Sequence, residues 1–379
     1  MVSPASEAAL AEALAGARGP FVVRGGGTRA IGAAEAGEVL ETGALSGIRL
    51  YEPGALTLVA GAGTTLAGIE AALAAEGQRM AFEPPDMRAV LGRAGEPTIG
   101  GVVAANASGP RRVQAGACRD FLLGMRAVTG RGEIVRAGGR VMKNVTGYDL
   151  ARLFCGARGT LGVISEVALK VLPAPETEAT LLIEGLDAAD GVAALCRAMG
   201  TTLEVSGAAH LPPEADGGPA RTVMRLEGSA ASVGERARRL AGMVPGGGRL
   251  LERGESAALW RGVRDVRPFA GREGALWHVS VKPTDGPVLS GALAAEGLAF
   301  EAMYDWSGGR VWLLTEAGGD GGAAMIRARV AALGGHATLM RGPGDVPAFH
   351  PEPEAVARLS AGLRAAFDPN GILNRGLMG

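Results

Sequence analysis

The sequence predicts an α+β protein whose two halves follow different plans, and three observations carry that prediction. Short apolar runs bounded by Gly and Pro alternate with helical stretches, and no βαβ unit surrounds the glycine motifs of the first half. The segment Pro173-Ala174-Pro175-Glu176-Thr177-Glu178 reads as a linker, and beyond it the strands suit a largely antiparallel sheet. Two glycine-rich loops of different design stand in the first half, Arg24-Gly25-Gly26-Gly27-Thr28 and Thr98-Ile99-Gly100-Gly101-Val102-Val103-Ala104-Ala105-Asn106.

Taken in order, a helix is expected over residues 6–15, with Ser3 or Ser6 as N-cap and Gly16 near its end. Phe21-Val22-Val23 is a short strand running into the first loop. Residues 38–42, 48–51 and 56–60 suit strands, and 66–76 a helix with Gly77 at its C-cap. Residues 121–129 and 133–137 form a hairpin around Gly130-Arg131-Gly132, 148–154 a helix, and 161–172 a long strand. After the linker, strands at 180–184, 222–227, 276–281 and 311–315 enclose helices near 188–198, 232–241 and 322–333. A helix over 352–367 ends in the turn Asp368-Pro369-Asn370-Gly371, and no internal repeat is legible.

A chain of 379 residues, 47% apolar and 20% charged, is long and apolar enough for two cores. The formal charge of −1 and the lack of a basic block argue against nucleic acid as a partner. Met1-Val2-Ser3-Pro4 opens no signal peptide. Residues 56–77, the most apolar stretch, hold Glu70 and the turn Gly61-Ala62-Gly63, so they suit strand-turn-helix rather than a membrane span. A cytoplasmic protein is expected, reaching a membrane only through partners. Cys118, Cys155 and Cys196 lack C-x-x-C spacing, so no Fe–S or Cys₄ zinc site is expected. Redox chemistry in this chain would therefore pass electrons to something outside it.

Glycine lacks Cβ and adopts φ > 0 readily, so successive N–H groups can converge on an anion. One such loop is weak evidence where 62 of 379 residues are glycine, against a usual share of about 7%. Two loops suggest a dinucleotide clasped from two sides. The first follows a strand but is not the G-x-G-x-x-G of a nicotinamide site, since Thr28, Arg29 and Ala30 follow its glycines. It suits a compact nest in which Thr28 offers a hydroxyl and Arg24 or Arg29 a charge; the alternative is an ordinary glycine turn. In the second, a short helix starting near Gly100 would aim free N–H groups and a positive dipole end at phosphates, with Asn106 bonding a ring edge or hydroxyl. Its alternative is a helix whose small residues only permit close packing. In a third segment Gly159 and Gly162 flank a strand start where Val163 and Ile164 can bond a planar heterocycle near Lys143 and Asn144. Plain turn glycines and a solvated Lys143/Asp149 pair are the alternative there.

Together these segments resemble the FAD-binding domain of the vanillyl-alcohol-oxidase/PCMH flavoprotein superfamily. The resemblance implies a PCMH-type domain of two α+β subdomains over residues 1–173. An α+β substrate or cap domain with a mainly antiparallel sheet would follow over 174–345, and a helix and tail over 346–379 would pack back towards the FAD site. It also implies that Arg24, Gly25, Gly26, Gly27, Thr28 and Arg29, with Thr98, Gly100, Gly101, Ala104, Asn106 and Gly109, hold FAD by its pyrophosphate. Lys143, Asn144, Gly159, Gly162, Val163, Ile164 and Asn374 would serve the rest of the cofactor.

Within the superfamily, residues 106–111, 141–150, 304–312 and 367–374 are similar to segments of the flavin-binding subunits of bacterial glycolate oxidases. This implies oxidation of glycolate, or another small 2-hydroxy acid, beside a sister FAD-binding subunit and an Fe–S subunit. The alternatives are a stand-alone D-lactate-like dehydrogenase and a non-catalytic flavin-binding relay subunit.

Superfamily members with covalent FAD place a histidine in the first loop or a cysteine before the second. Neither stands here, so dissociable FAD is expected. Related D-2-hydroxyacid dehydrogenases carry a histidine-rich metal segment, whereas His210, His278, His336 and His350 are isolated, so no metal is expected. His278, beside Trp277 on an apolar strand, is the candidate base, with a structural histidine as the alternative. Arg264, spaced with Arg261 and Arg267 along a helix, is the candidate carboxylate clamp, with a solvated face as the alternative.

Overall fold

A computed structural model describes residues 1–139, 148–214, 217–244 and 247–378. The first helix, Glu7–Ala15, is capped by Ser6, whose Oγ accepts from the Ala9 N–H at 3.1 Å. Its i, i+4 pair Leu10 and Leu14 is buried against Phe21, Leu40 and Leu45. The strands Phe21–Arg24 and Glu38–Glu41 run parallel beside it, so the first glycine loop leaves the end of an anchored strand.

A second layer is a five-stranded antiparallel sheet in the order Ile48–Glu52, Thr57–Gly61, Val163–Lys170, Leu122–Val128, Ile134–Gly138. Every residue of Thr57–Gly61 is buried. The helix Leu66–Ala75 lays Leu66, Ile69 and Leu73 into the same core, a 3.6-residue stripe. After the short pair Gln78–Arg79 with Leu172–Pro173, the chain enters the second half at the strand Thr177–Glu184.

The second half is one eight-stranded sheet with antiparallel pairing throughout. It consists of two β-α-β-β-α-β units, spanning residues 177–252 and 275–341, joined edge to edge where His210 pairs with Tyr304. This repeat was not legible in the sequence, because it is a repeat of topology in which each side chain answers to its own local packing. The strands Gly207–Leu211, Arg249–Glu252, Phe300–Asp305 and His336–Arg341 were likewise not anticipated. Gly207-Ala208-Ala209-His210-Leu211 shows no apolar/polar alternation because both of its faces are buried. The helix Asp285–Ala295 forms across Gly286, Pro287 and Gly291, since burial of Leu289 and Leu293 outweighs local propensity.

The last helix, Glu354–Phe367, ends at Asp368, whose carboxylate accepts from the N–H groups of Ile372 and Leu373 at 3.1 and 2.8 Å. That turn sends the tail back beside Phe21, where Phe21 N–H donates to Ile372 O and Asn374 N–H to Phe21 O. The two halves meet at a buried ionic seam. Arg225, on the strand Arg221–Gly228, donates bidentately to Glu83 at 2.8 and 2.9 Å, and Arg111 donates bidentately to Glu227 at 2.8 and 2.9 Å.

Candidate cofactor and ligand sites

The first glycine loop, the second loop, the 158–164 segment and the returning tail enclose one cleft of about 1080 Å³, its solvent mouth included. Of the cofactor residues expected from the sequence, Arg24, Gly25, Gly26, Gly27, Thr28, Arg29, Thr98, Gly100, Gly101, Ala104, Gly159, Gly162, Val163, Ile164 and Asn374 all line it. Lys143 and Asn144 lie outside the described residues. Asn374 stitches the walls together: its Oδ1 accepts from Val23 N–H at 2.8 Å, and its Nδ2 donates to Arg158 O at 2.7 Å.

The two loops differ in what their amides do. Within the described structure no acceptor takes the N–H groups of Gly25 through Arg29, and these five residues in a row line the cleft. Gly26 is required by close approach, because a Cβ there would stand 1.6 Å from Glu96 O. The helix of the second loop, Ile99–Ala104, corrects the expectation of free N–H groups at its start. Ile99 N–H donates to Thr64 O, Gly100 N–H to Ala62 O, and Gly101 N–H to the capping Oγ1 of Thr98. The reason is steric: the helix is pressed onto the turn at 62–64, where a Cβ on Gly100 would lie 2.7 Å from Ala62 Cβ. Gly100 is therefore required by that packing, while Gly100 and Gly101 also line the cleft.

Asn106 and Gly109 are also displaced from the expected role. Asn106 has φ of 47°, and its Oδ1 accepts from Arg119 N–H at 3.1 Å, so the side chain closes a loop and faces a different cavity. Gly109 donates to Phe82 O and accepts from the Trp306 indole at 3.0 Å.

The second cavity adjoins the cleft, and Arg29, Ala105 and Arg158 line both. One wall is the sheet face of the second β-α-β-β-α-β unit, where cross-strand neighbours His278, Trp312 and Thr338 point the same way, with Arg310 and His336 one pair further on. Trp306 enters from a tight turn in which Trp306 and Ser307 have φ of 50° and 61° and Asp305 Oδ1 accepts from Trp306 N–H at 2.7 Å. The opposite wall carries Ser108, Arg112 and Arg158.

Arg29, Arg112, Arg119, Arg158 and Arg310 line this cavity with no carboxylate among the lining residues. Burial pushes the guanidinium groups of Arg29, Arg158 and Arg310 down to about 10 each, so all three stay cationic at neutral pH. Burial, followed by the charge of Arg310, drives His278 well below the usual histidine range and keeps it neutral. Nε2 of His278, Nε of Arg310 and Nε1 of Trp312 are shielded and have no partner.

Of the two catalytic candidates, His278 lies in the cavity and Arg264 does not. Arg264 pairs with Asp265 through Nε and Nη2 at 2.8 and 2.9 Å, and Asp265 in turn accepts from Asp86 N–H. Sequence reasoning passed over Arg112, Arg158, Arg310, Trp306 and Trp312. The i, i+2 pair Arg310/Trp312 on an apolar strand was the one local signal that a cation is held on a buried face. Among the described residues no group of three or more His, Cys, Asp or Glu is placed to hold a metal ion.

A family profile described as an FAD binding domain matches residues 1–138. Over 364 residues the chain is 35% identical to the glycolate oxidase subunit GlcE of Escherichia coli (strain K12), covering 95% of this chain and 92% of that protein. Over 177 residues it is 37% identical to the glycolate oxidase subunit GlcD of Bacillus subtilis (strain 168), covering 45% of this chain and 36% of that one. The solved structure of p-cresol methylhydroxylase with substrate bound shares the fold, with a TM-score of 0.74 at 14% identity over 100% of this chain and 88% of that chain.

Proposed function

The chain belongs to the family of the glycolate oxidase subunit GlcE, and we propose on that premise that its N-terminal cleft grips FAD for the oxidation of a small 2-hydroxy acid. The carrying observation is the free row of N–H groups from Gly25 to Arg29, with the Thr28 hydroxyl beside it. Such a row is a nest for a diphosphate, whose oxygens need several converging donors more than they need full charges. In this reading the first loop holds the pyrophosphate. The second loop supplies the packed floor, and Gly159, Gly162, Val163 and Ile164 form the wall for the ring systems.

Among the described residues that line the cleft there is no histidine or cysteine, which supports a dissociable FAD. When bound, FAD supplies a two-electron acceptor for alcohol oxidation; the protein's part is to position it and tune its electrostatics. Cys118 and Cys155 are buried and Cys196 bonds Ser307, so none is free to share a cluster. Electrons would leave for an Fe–S partner beside a sister flavin subunit. No helix among the described residues is long and apolar enough to cross a membrane, and contact with one would run through those partners.

Gly26→Val tests the cofactor site. It should abolish stoichiometric FAD binding in a fluorescence-quench titration while leaving the far-UV circular dichroism of the chain intact. Retained stoichiometric flavin would refute the assignment. Acid precipitation of the wild type should leave the yellow chromophore in the supernatant. Anaerobic mixing of the FAD-loaded chain with glycolate then separates two roles: bleaching of the flavin band marks direct oxidation, and an unchanged band marks a relay subunit.

A further inference from the structure

We infer that the second cavity is a binding site for a small carboxylate bearing an α-hydroxyl, received by Arg310 and His278. The strongest observation is the state of Arg310. Its side chain is deeply buried and sandwiched between Trp306 and Trp312, each ring 4.6 Å from the guanidinium carbon. Nη1 donates to Ser108 O at 3.0 Å, and the nearest carboxylate, Asp305, stands off at 3.8 Å. The Nε–Nη2 edge, the geometry that grips a carboxylate with two parallel bonds, has no partner. A buried guanidinium left this way is costly unless something else completes it.

The surroundings say what completes it. Arg112 also lies over the Trp306 ring, at 4.4 Å, so a second cation stands beside the first. The indole Nε1 of Trp312 is a third orphan and can only donate. Donors without acceptors call for a ligand rich in oxygen lone pairs and negative in charge. The indole rings and Phe349 close the walls, which favours a short acid. His278 Nε2 adds one hydrogen-bonding position on a neutral ring, which meets a hydroxyl in either tautomer. An α-hydroxy monocarboxylate satisfies all of these groups, and acetate would leave His278 unmet.

The inference deepens the cofactor reading and rests on it for one consequence, that the acid would lie next to the flavin cleft through the shared Arg29 and Arg158. Calorimetric titration of the FAD-loaded full chain with glycolate, acetate and neutral glycolamide tests it. Glycolate should bind, acetate more weakly, and glycolamide not at all. Arg310→Met should weaken glycolate binding at least tenfold with FAD affinity unchanged, and Arg310→Lys should recover only part of it. His278→Leu should erase the preference of glycolate over acetate. Should an Arg310 variant fail to fold, Arg112→Gln carries the test with a smaller loss of the same sign. A chain that holds FAD but ignores glycolate, or binds glycolamide equally well, overturns the inference and leaves the cofactor reading standing. A wild-type chain that fails to hold FAD overturns the cofactor reading, and the same titration on the cofactor-free chain still decides the carboxylate site.

Discussion

At the seam between the two halves, Arg79, Arg111 and Arg225 meet Glu83 and Glu227; in the second cavity, Arg29, Arg112, Arg158 and Arg310 line a wall without a carboxylate among its described residues, and the acid nearest Arg310, Asp305, stands off at 3.8 Å. Both groups are largely withdrawn from water. At the seam both carboxylates are met: Arg225 is bidentate to Glu83, bonds Ser206 Oγ, and stacks 4.7 Å over Trp260, and Nε of Arg79 is left over there. The cavity is open, with orphaned polar atoms on Arg310, Trp312 and His278. The comparison separates two uses of buried arginine. A matched cluster holds two units together, and an unmatched one keeps its charge for a ligand.

Breaking the seam should give the largest effect. Arg225→Met leaves two buried carboxylates short of a partner and should lower the unfolding free energy by about 3–5 kcal/mol. Urea denaturation followed by fluorescence measures this, and a loss under about 1 kcal/mol would show the seam to be ornamental.

The two clusters should also respond to pH with opposite sign. Burial by itself raises the Glu83 and Glu227 carboxyls, but Arg225 and Arg111 override it and hold both below the usual range. The stability they contribute is present above the unfolded carboxylate value of about 4.3 and is lost as pH falls through their folded values. Asp305 is the reverse case, raised by burial to about 6 with Arg310 opposing only in part. Its contribution is present below the unfolded value of about 3.9 and is lost as pH rises through about 6, an effect on the order of 2–3 kcal/mol. Asp305→Asn should therefore flatten the decline in stability between about pH 4 and pH 6, seen as a smaller change in urea midpoint. An unaltered slope would remove Asp305 from the account.

The smallest effect on stability is expected from Arg310→Met. Replacing an under-paired buried cation with an apolar chain of similar length is close to neutral, within about 1 kcal/mol, because the lost bond to Ser108 O is offset by relief of desolvation. A loss as large as that of Arg225→Met would make the cavity a second seam and dissolve the contrast.

The parts of the site that were legible share a cause. Gly25 to Thr28 follow a strand, and a triple glycine there has few purposes other than close backbone approach, so the loop announced itself. The third segment did so as well, through Gly159 and Gly162. The start of Ile99–Ala104 was misjudged, because whether an N–H is free depends on what faces it, and Ala62 and Thr64 are remote in sequence. Arg264 looked like a clamp from helical spacing, yet the adjacent Asp265 takes both of its donating positions. His278 lies in the cavity, and of its companions only Arg310 was marked locally, by its i, i+2 spacing from Trp312; nothing local marked Trp306 or Arg112.

The sequence by itself determined the α+β class, the antiparallel second half, the glycine grip of the first loop and the lack of a cysteine or histidine in it. These depend on residue type and short-range spacing, which act through backbone conformation and strand periodicity. Only the tertiary structure decided which amides stay free, which arginines find acids, and that three strands and the loops facing them converge on one uncompensated cavity. Those outcomes rest on contacts between residues hundreds of positions apart, such as Arg310 with Ser108 and Asn374 with Val23. Burial then turns an ordinary guanidinium into a demand for an anion.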